Sequence, residues 1–280
     1  MRSPDLGAVF ADFSIGTGAG MMFANLLQLD LLLALLSGLL LGSFLNVVIH
    51  RLPRMLEHGD AVGFNLAWPL SHCPRCRCPL RWWHTLPLLG YMLLRGRCAH
   101  CNQPISWRYP LVEGAMALCC LLFTWQSLPP AILIGTIVLS AALLALSLID
   151  LETGLLPDSL TLTLLWAGLL FNLQQSLTPL PHAVLGAVVG YLFPWLVYWV
   201  YRLLTGREGL GYGDMKLLAA LGAWLGWMPL AQVLLLSSLT GLLAGGILML
   251  YGRLARHDPM PFGPFLAASG WLVWVAHVCF

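Results

Sequence analysis

"AILIGTIVLSAALLALSLID", Ala131–Asp150, is an unbroken apolar run that ends on an acid. It is long enough for the roughly 20 residues that cross a bilayer as a helix. Nothing in it alternates in the manner of a strand, and a lipid-exposed segment must satisfy its own backbone hydrogen bonds, so it reads as a spanning helix. The same pattern recurs along the chain. Eight candidate spans are read, at Leu29–Ile49, Leu111–Leu128, Ala131–Ile149, Ser159–Leu177, Ala183–Leu204, Met215–Trp227, Leu230–Tyr251 and Phe262–Cys279. The sixth is the shortest. Of the 280 residues 59% are hydrophobic and only 9% charged, against roughly 25% charged in soluble domains. A water-soluble fold could not cover its surface with so few charges. The expectation is an all-α polytopic membrane protein of about eight transmembrane helices.

One polar segment interrupts the pattern. Residues 51–110 are rich in Arg and Pro, and eight of the 14 Lys and Arg fall between Arg51 and Arg108. Arg202, Arg207, Lys216, Arg253 and Arg256 flank later loops on the same side, while the turns at 127–130, 177–181 and 226–229 carry no charge. Basic loops stay in the cytoplasm, so this insert is expected there, with both termini outside. The chain divides into an N-terminal extension (1–28), a first transmembrane helix (29–50), a cytoplasmic insert (51–110) and a helical bundle (111–280). The extension is weakly patterned, no cleavable signal peptide is read in it, and Met21 or Met22 is an alternative start. No internal repeat is evident.

The insert carries "CPRC", Cys73–Cys76, and "CAHC", Cys98–Cys101. A two-residue spacer lets both sulfurs of a pair face one metal, so two such pairs read as a structural four-thiolate zinc site. A disulfide framework is the competing reading, which the reducing cytoplasm argues against, and a redox pair is a further alternative. Cys78 is surplus, either a spare thiol or a substitute for Cys76. His72, His84 and His100 are read as neighbours of the site, and Cys119 and Cys120 as packing residues.

Acids are scarce, 12 in all, and an acid at membrane depth calls for a functional reason. Asp150, Asp158 and Asp214 are placed by the topology at one face. Two carboxylates meeting there can hydrolyse a peptide: one accepts a proton from water while the other, protonated, polarises the carbonyl. Asp158 follows Pro157 at a helix start and is read as a cap ahead of a catalyst. Asp214, in "LGYGDMK" (Leu210–Lys216), has a capping reading too, but Gly211 and Gly213 permit the bends and close approach that would bring it into a site. Lys216 need not share its face. Glu113 opens the second span. Spacing thus favours Asp150 with Asp214; proton- or cation-coupled transport through the same acids is the alternative from another class.

These residues carry a resemblance. "GSFLNVVIHRLP" (Gly42–Pro53), the two cysteine pairs, "LRGRCAHCNQPISWRYPLVE" (Leu94–Glu113), "LIDLETGLLPDSLTL" (Leu148–Leu162), "GYGDMKLLAALGAWLG" (Gly211–Gly226) and "PFGPFLAASG" (Pro261–Gly270) together resemble the bacterial type IV prepilin peptidases, or leader peptidase/N-methyltransferases. The resemblance implies a GxGD-type aspartic protease of the inner membrane with Asp150 and Asp214 as its catalytic pair. It implies cleavage of the basic leader of prepilins or type II secretion pseudopilins at the cytoplasmic face, ahead of an apolar helix. N-methylation of the new N-terminus from S-adenosylmethionine follows in such enzymes. The cysteine insert matches the zinc-binding part of the bifunctional members, Glu113 the acid after "RYP", and Gly42, Ser43 and Asn46 the first motif. Substrate and membrane lipid are the expected partners, with no nucleic acid. Recognition of a basic leader is expected to use Glu152, Asp158 or Glu208.

Overall fold

The computed structural model describes residues 6–58, 65–68, 71–73, 75–174, 177–206, 209, 211–252 and 260–279, with side chains from residue 28 onward. It is helical throughout: α1 (Leu6–His58), α2 (Leu89–Leu93), α3 (Arg108–Trp125), α4 (Pro130–Thr153), α5 (Asp158–Leu173), α6 (Leu180–Thr205), α7 (Tyr212–Leu225), α8 (Leu230–Leu250) and α9 (Gly263–Cys279). Among the described residues there is no β-strand, only two isolated bridges in the insert.

The helix positions match the eight apolar runs, but their lengths divide them. Four segments, Gln28–Glu57, Pro130–Thr153, Leu180–Thr205 and Leu230–Leu250, are long and apolar enough to cross a membrane. α5 and α9 are shorter apolar helices. α7 has 14 residues, about 21 Å at 1.5 Å per residue, short of a roughly 30 Å hydrocarbon core. The chain is therefore a helical membrane protein with, among the described residues, four helices of full spanning length, fewer than the eight that apolarity suggested. Apolar runs measure hydrophobicity and miss the stops: Gly226 ends α7 at φ +82°, and Gln174 ends α5 ahead of Leu177. The first helix also departs from its expected limits. It begins within the stretch read as an extension and continues through Pro53 to His58.

α7 is the hub. Every residue from Leu217 to Leu225 is buried, which is what a helix apolar on all sides demands. α6 packs closely along one flank and α5 along another. Gly186 of α6 and Gly222 of α7 face each other so tightly that a Cβ on either would overlap the other's backbone, the small-residue contact typical of membrane helices. Polar side chains fasten the ends. Asn172 donates to the carbonyls of Ala223 (2.9 Å) and Trp224 (3.0 Å), serving the last turn of α7. Trp274 donates to Thr136 (3.0 Å) and Trp271 to Ser140 (2.8 Å), tying α9 to α4. A second core joins α1, α3 and α4 through Leu45, Ile49, Val112, Met116, Ala145 and Ile149. There Gly42 lets α1 approach α3: a Cβ on it would stand 2.5 Å from the Glu113 Cα.

Candidate active site and metal centre

Asp150 lies in the last turn of α4, which Gly154 closes in the left-handed region (φ +66°), its N–H bonding the Asp150 carbonyl at 2.8 Å. That stop turns the chain at Leu155–Pro157 and starts α5 at Asp158. Asp214 is the third residue of α7, after the N-cap Gly211. The two carboxylates line one cavity of about 310 Å³, together with Gly154, Leu156, Asp158, Gly211, Gly213 and Lys216. The pair favoured by spacing is thus brought together. Asp150 is buried, and its Oδ2 accepts a hydrogen bond from the backbone N–H of Gly263 at 3.0 Å. Gly263 opens α9, so the acid sits on a helix N-terminus, where backbone donors favour an anion. A Cβ at Gly263 would come within 2.6 Å of that oxygen.

The glycines around Asp214 act through close approach. Gly211 has an ordinary extended backbone, φ −75° and ψ 141°. A Cβ there would stand 3.2 Å from the Asp214 carboxylate, and one on Gly213 would stand 2.8 Å from the Leu156 Cβ. Bare backbone at both positions lets α7 pack against the 154–157 turn. Gly263 was not singled out by sequence reasoning. Its signal was present in "PFGPF", a glycine between prolines at a helix start, but only the fold shows that it faces Asp150.

The other predicted residues find different places. Asp158 does not cap α5: the N-cap is Pro157, without a side-chain cap bond. The Asp158 carboxylate instead pairs with Lys216 at 2.6 Å across the cavity rim. Lys216 therefore does share the cavity with Asp214. Glu152 is paired with Arg108, at the start of α3. Both expected leader contacts thus already have basic partners, and Glu208 lies outside the described residues, as do Arg207, Arg253 and Arg256. Glu113 is buried between α1 and α3 and accepts the Leu88 N–H at 2.8 Å. It therefore ties the insert to the bundle. Asn46 beside it donates to the Tyr109 carbonyl at 3.1 Å while its Oδ1 is buried without a partner among the described residues.

In the insert the two cysteine pairs are the same local structure twice. The Arg77 N–H bonds the Cys73 carbonyl (2.9 Å) as the Asn102 N–H bonds that of Cys98 (3.0 Å), and Arg77 and Asn102 both take positive φ, 56° and 55°. The N–H of Cys73 goes to the Cys78 carbonyl (3.0 Å) as that of Cys98 goes to the Gln103 carbonyl (2.9 Å). Bridges His72–Pro79 and Arg97–Pro104 close each turn. This is a repeat that the sequence reading missed, because only the cysteines and prolines recur in it. In this repeat Cys78 is the counterpart of Gln103 and lies outside the four-sulfur cluster. The four sulfurs of Cys73, Cys76, Cys98 and Cys101 lie within 4.8 Å of one another. Sγ–Sγ separations are 3.8 Å for Cys73–Cys101 and 4.0 Å for Cys76–Cys98. Zn–S bonds of about 2.3 Å in a tetrahedron require sulfurs roughly 3.8 Å apart, so the donor set fits that metal.

Comparison with known proteins agrees with this geometry. The family described as the bacterial peptidase A24 N-terminal domain matches residues 36–127, and the type IV leader peptidase family matches residues 137–246. A prepilin leader peptidase/N-methyltransferase of Dickeya chrysanthemi is 49% identical over 274 residues, covering 91% of this chain and 96% of that protein. The chain belongs to the type IV leader peptidase family. Relatives of the same description come from Burkholderia pseudomallei (48% identical over 262 residues, 86% of this chain and 84% of the relative) and Klebsiella pneumoniae (57% over 203 residues, 72% and 88%). No solved structure matched. In this chain the N-terminal match covers the cysteine insert and Glu113, and the second match covers both Asp150 and Asp214.

Proposed function

We propose that the protein cleaves the leader from type IV prepilins, from type II secretion pseudopilins, or from both, and N-methylates the new N-terminus. The observation that carries this reading is the cavity in which Asp150 and Asp214 meet, in a chain whose relatives are described by that pair of activities. One carboxylate takes a proton from a water as its oxygen attacks the scissile carbonyl carbon. The other, protonated, donates a hydrogen bond to the carbonyl oxygen. Collapse of the tetrahedral intermediate breaks the C–N bond, and a carboxyl proton passes to the leaving amine. Gly263 fixes the Asp150 oxygen, and Gly211 and Gly213 admit Asp214. The amine so released is the methyl acceptor, and S-adenosylmethionine supplies the methyl group.

Zinc held by Cys73, Cys76, Cys98 and Cys101 would cross-link the two knuckles and give an insert with little core of its own a fixed shape. The stretch between α1 and α3 then forms the methyltransferase-associated insert and the helices from α3 onward the peptidase bundle, with Gln28–Glu57 of α1 as the first spanning segment. The bundle is read as lying in the bacterial inner membrane with the acids at the cytoplasmic face, an orientation supported by the basic residues of the insert and of the loops beside the acids. No feature of the fold or the comparisons favours an ion-coupled transporter. Purified protein is incubated with a prepilin and S-adenosylmethionine, and product mass is read. Loss of the leader plus one methyl group is expected; an intact precursor would overturn the reading.

A further inference from the structure

A second cavity, about 540 Å³, opens on the flank of the bundle. Leu162 and Leu165 of α5 form one wall, Ala187, Val188, Tyr191 and Leu192 of α6 the other, and Ala219 and Lys216 of α7 the floor. α5 and α6 are consecutive helices, yet each packs chiefly on α7 and little on the other, so a slot remains between them. Val188 and Leu192 are about half exposed along it, at 46% and 51%. Lys216 lines both this slot and the cavity of Asp150 and Asp214. The two are therefore neighbours that share Lys216 as a wall, and beyond it, on the side away from the acids, the lining along α5 and α6 is apolar.

We propose that this slot seats the first turns of the apolar segment that follows the scissile bond of the substrate. The inference rests on the leader-peptidase reading, and adds where the substrate lies and what selects it. Cleavage between a polar leader and an apolar helix needs a polar cavity next to an apolar groove in that order, and the shared Lys216 marks the junction. Lipid is as apolar as a leucine, so burial alone does not drive a helix into such a slot; close packing does. Ala187 and Ala219 supply the depth for it, and bulk at Ala187 closes it.

The full-length enzyme in lipid nanodiscs carries the photo-crosslinker p-benzoylphenylalanine in place of Val188, or of Leu242 on α8 as a control, 75% exposed and absent from the slot. Asp150→Asn in both retains bound prepilin. Crosslinks from position 188 to the apolar segment of prepilin, competed by unlabelled precursor and absent from position 242, are expected. Ala187→Trp with both aspartates intact is expected to lower kcat/KM for prepilin about tenfold, the low end of what a filled apolar pocket costs, with bound zinc unchanged. Lipid adducts alone at position 188, or equal crosslinking at 242, would overturn the docking site. Failure of the wild-type enzyme to cleave the same prepilin would instead overturn the leader-peptidase reading beneath it.

Discussion

Asp150 and Asp214 arrive in the cavity by different routes. Asp150 ends a spanning helix and is held by the Gly263 N–H at 3.0 Å, while Asp214 opens the short α7. Gly263→Ala would drive a Cβ against the Asp150 oxygen. Displacements near 1 Å can cost on the order of 100-fold in rate, so initial cleavage rates are expected to fall at least about tenfold with the helical circular dichroism unchanged. Asp158 behaves otherwise. Its carboxylate is exposed and its Lys216 partner only partly so, and ion pairs open to solvent contribute roughly 0–1 kcal/mol. Asp158→Asn is expected to leave both thermal stability and cleavage close to wild type. At this scale the sequence made Asp150 and Asp214 visible, because an acid next to a long apolar run stands out in a chain of 9% charge. It did not reveal Gly263, whose partner lies 113 positions away, or the Lys216–Asp158 pair, since no periodicity reports contacts between helices.

Among the elements, α7 combines the shortest bundle helix with the deepest burial. Its contact with α6 depends on Gly186 and Gly222. Gly222→Val is expected to push the two helices apart at a cost of about 1–3 kcal/mol, read as a lower midpoint of thermal unfolding in detergent. Cleavage should fall with it, because Asp214 rides on α7. The limits of α5 and α7 were the least legible, since the apolar stretches run past the residues where the backbone turns. The insert shows the opposite case: two C-x-x-C pairs pointed by spacing alone to the sulfurs that the fold clusters, and the folded knuckles leave Cys78 outside that cluster. Cys98→Ser is expected to reduce bound zinc to well below one per chain by elemental analysis. Cys78→Ser is expected to leave it at one.

Across the whole molecule the insert and the bundle meet at a few fastenings. Glu113 of α3 accepts from Leu88 of the insert, and Arg108 pairs with Glu152 two residues after Asp150. Glu113→Gln keeps the shape of the side chain but replaces the carboxyl group that accepts the buried Leu88 hydrogen bond. It is expected to lower N-methylation more than cleavage, measured as the ratio of methylated to unmethylated product by mass. The central claim is that Asp150 and Asp214 form one catalytic pair. It is tested most directly by the product mass of prepilin incubated with wild type, Asp150→Asn, Asp214→Asn and Asp158→Asn at equal folded concentration. Complete loss of cleavage in the first two variants and retention in the third is the predicted result. Cleavage persisting in either of the first two, or equal loss in Asp158→Asn, would contradict it.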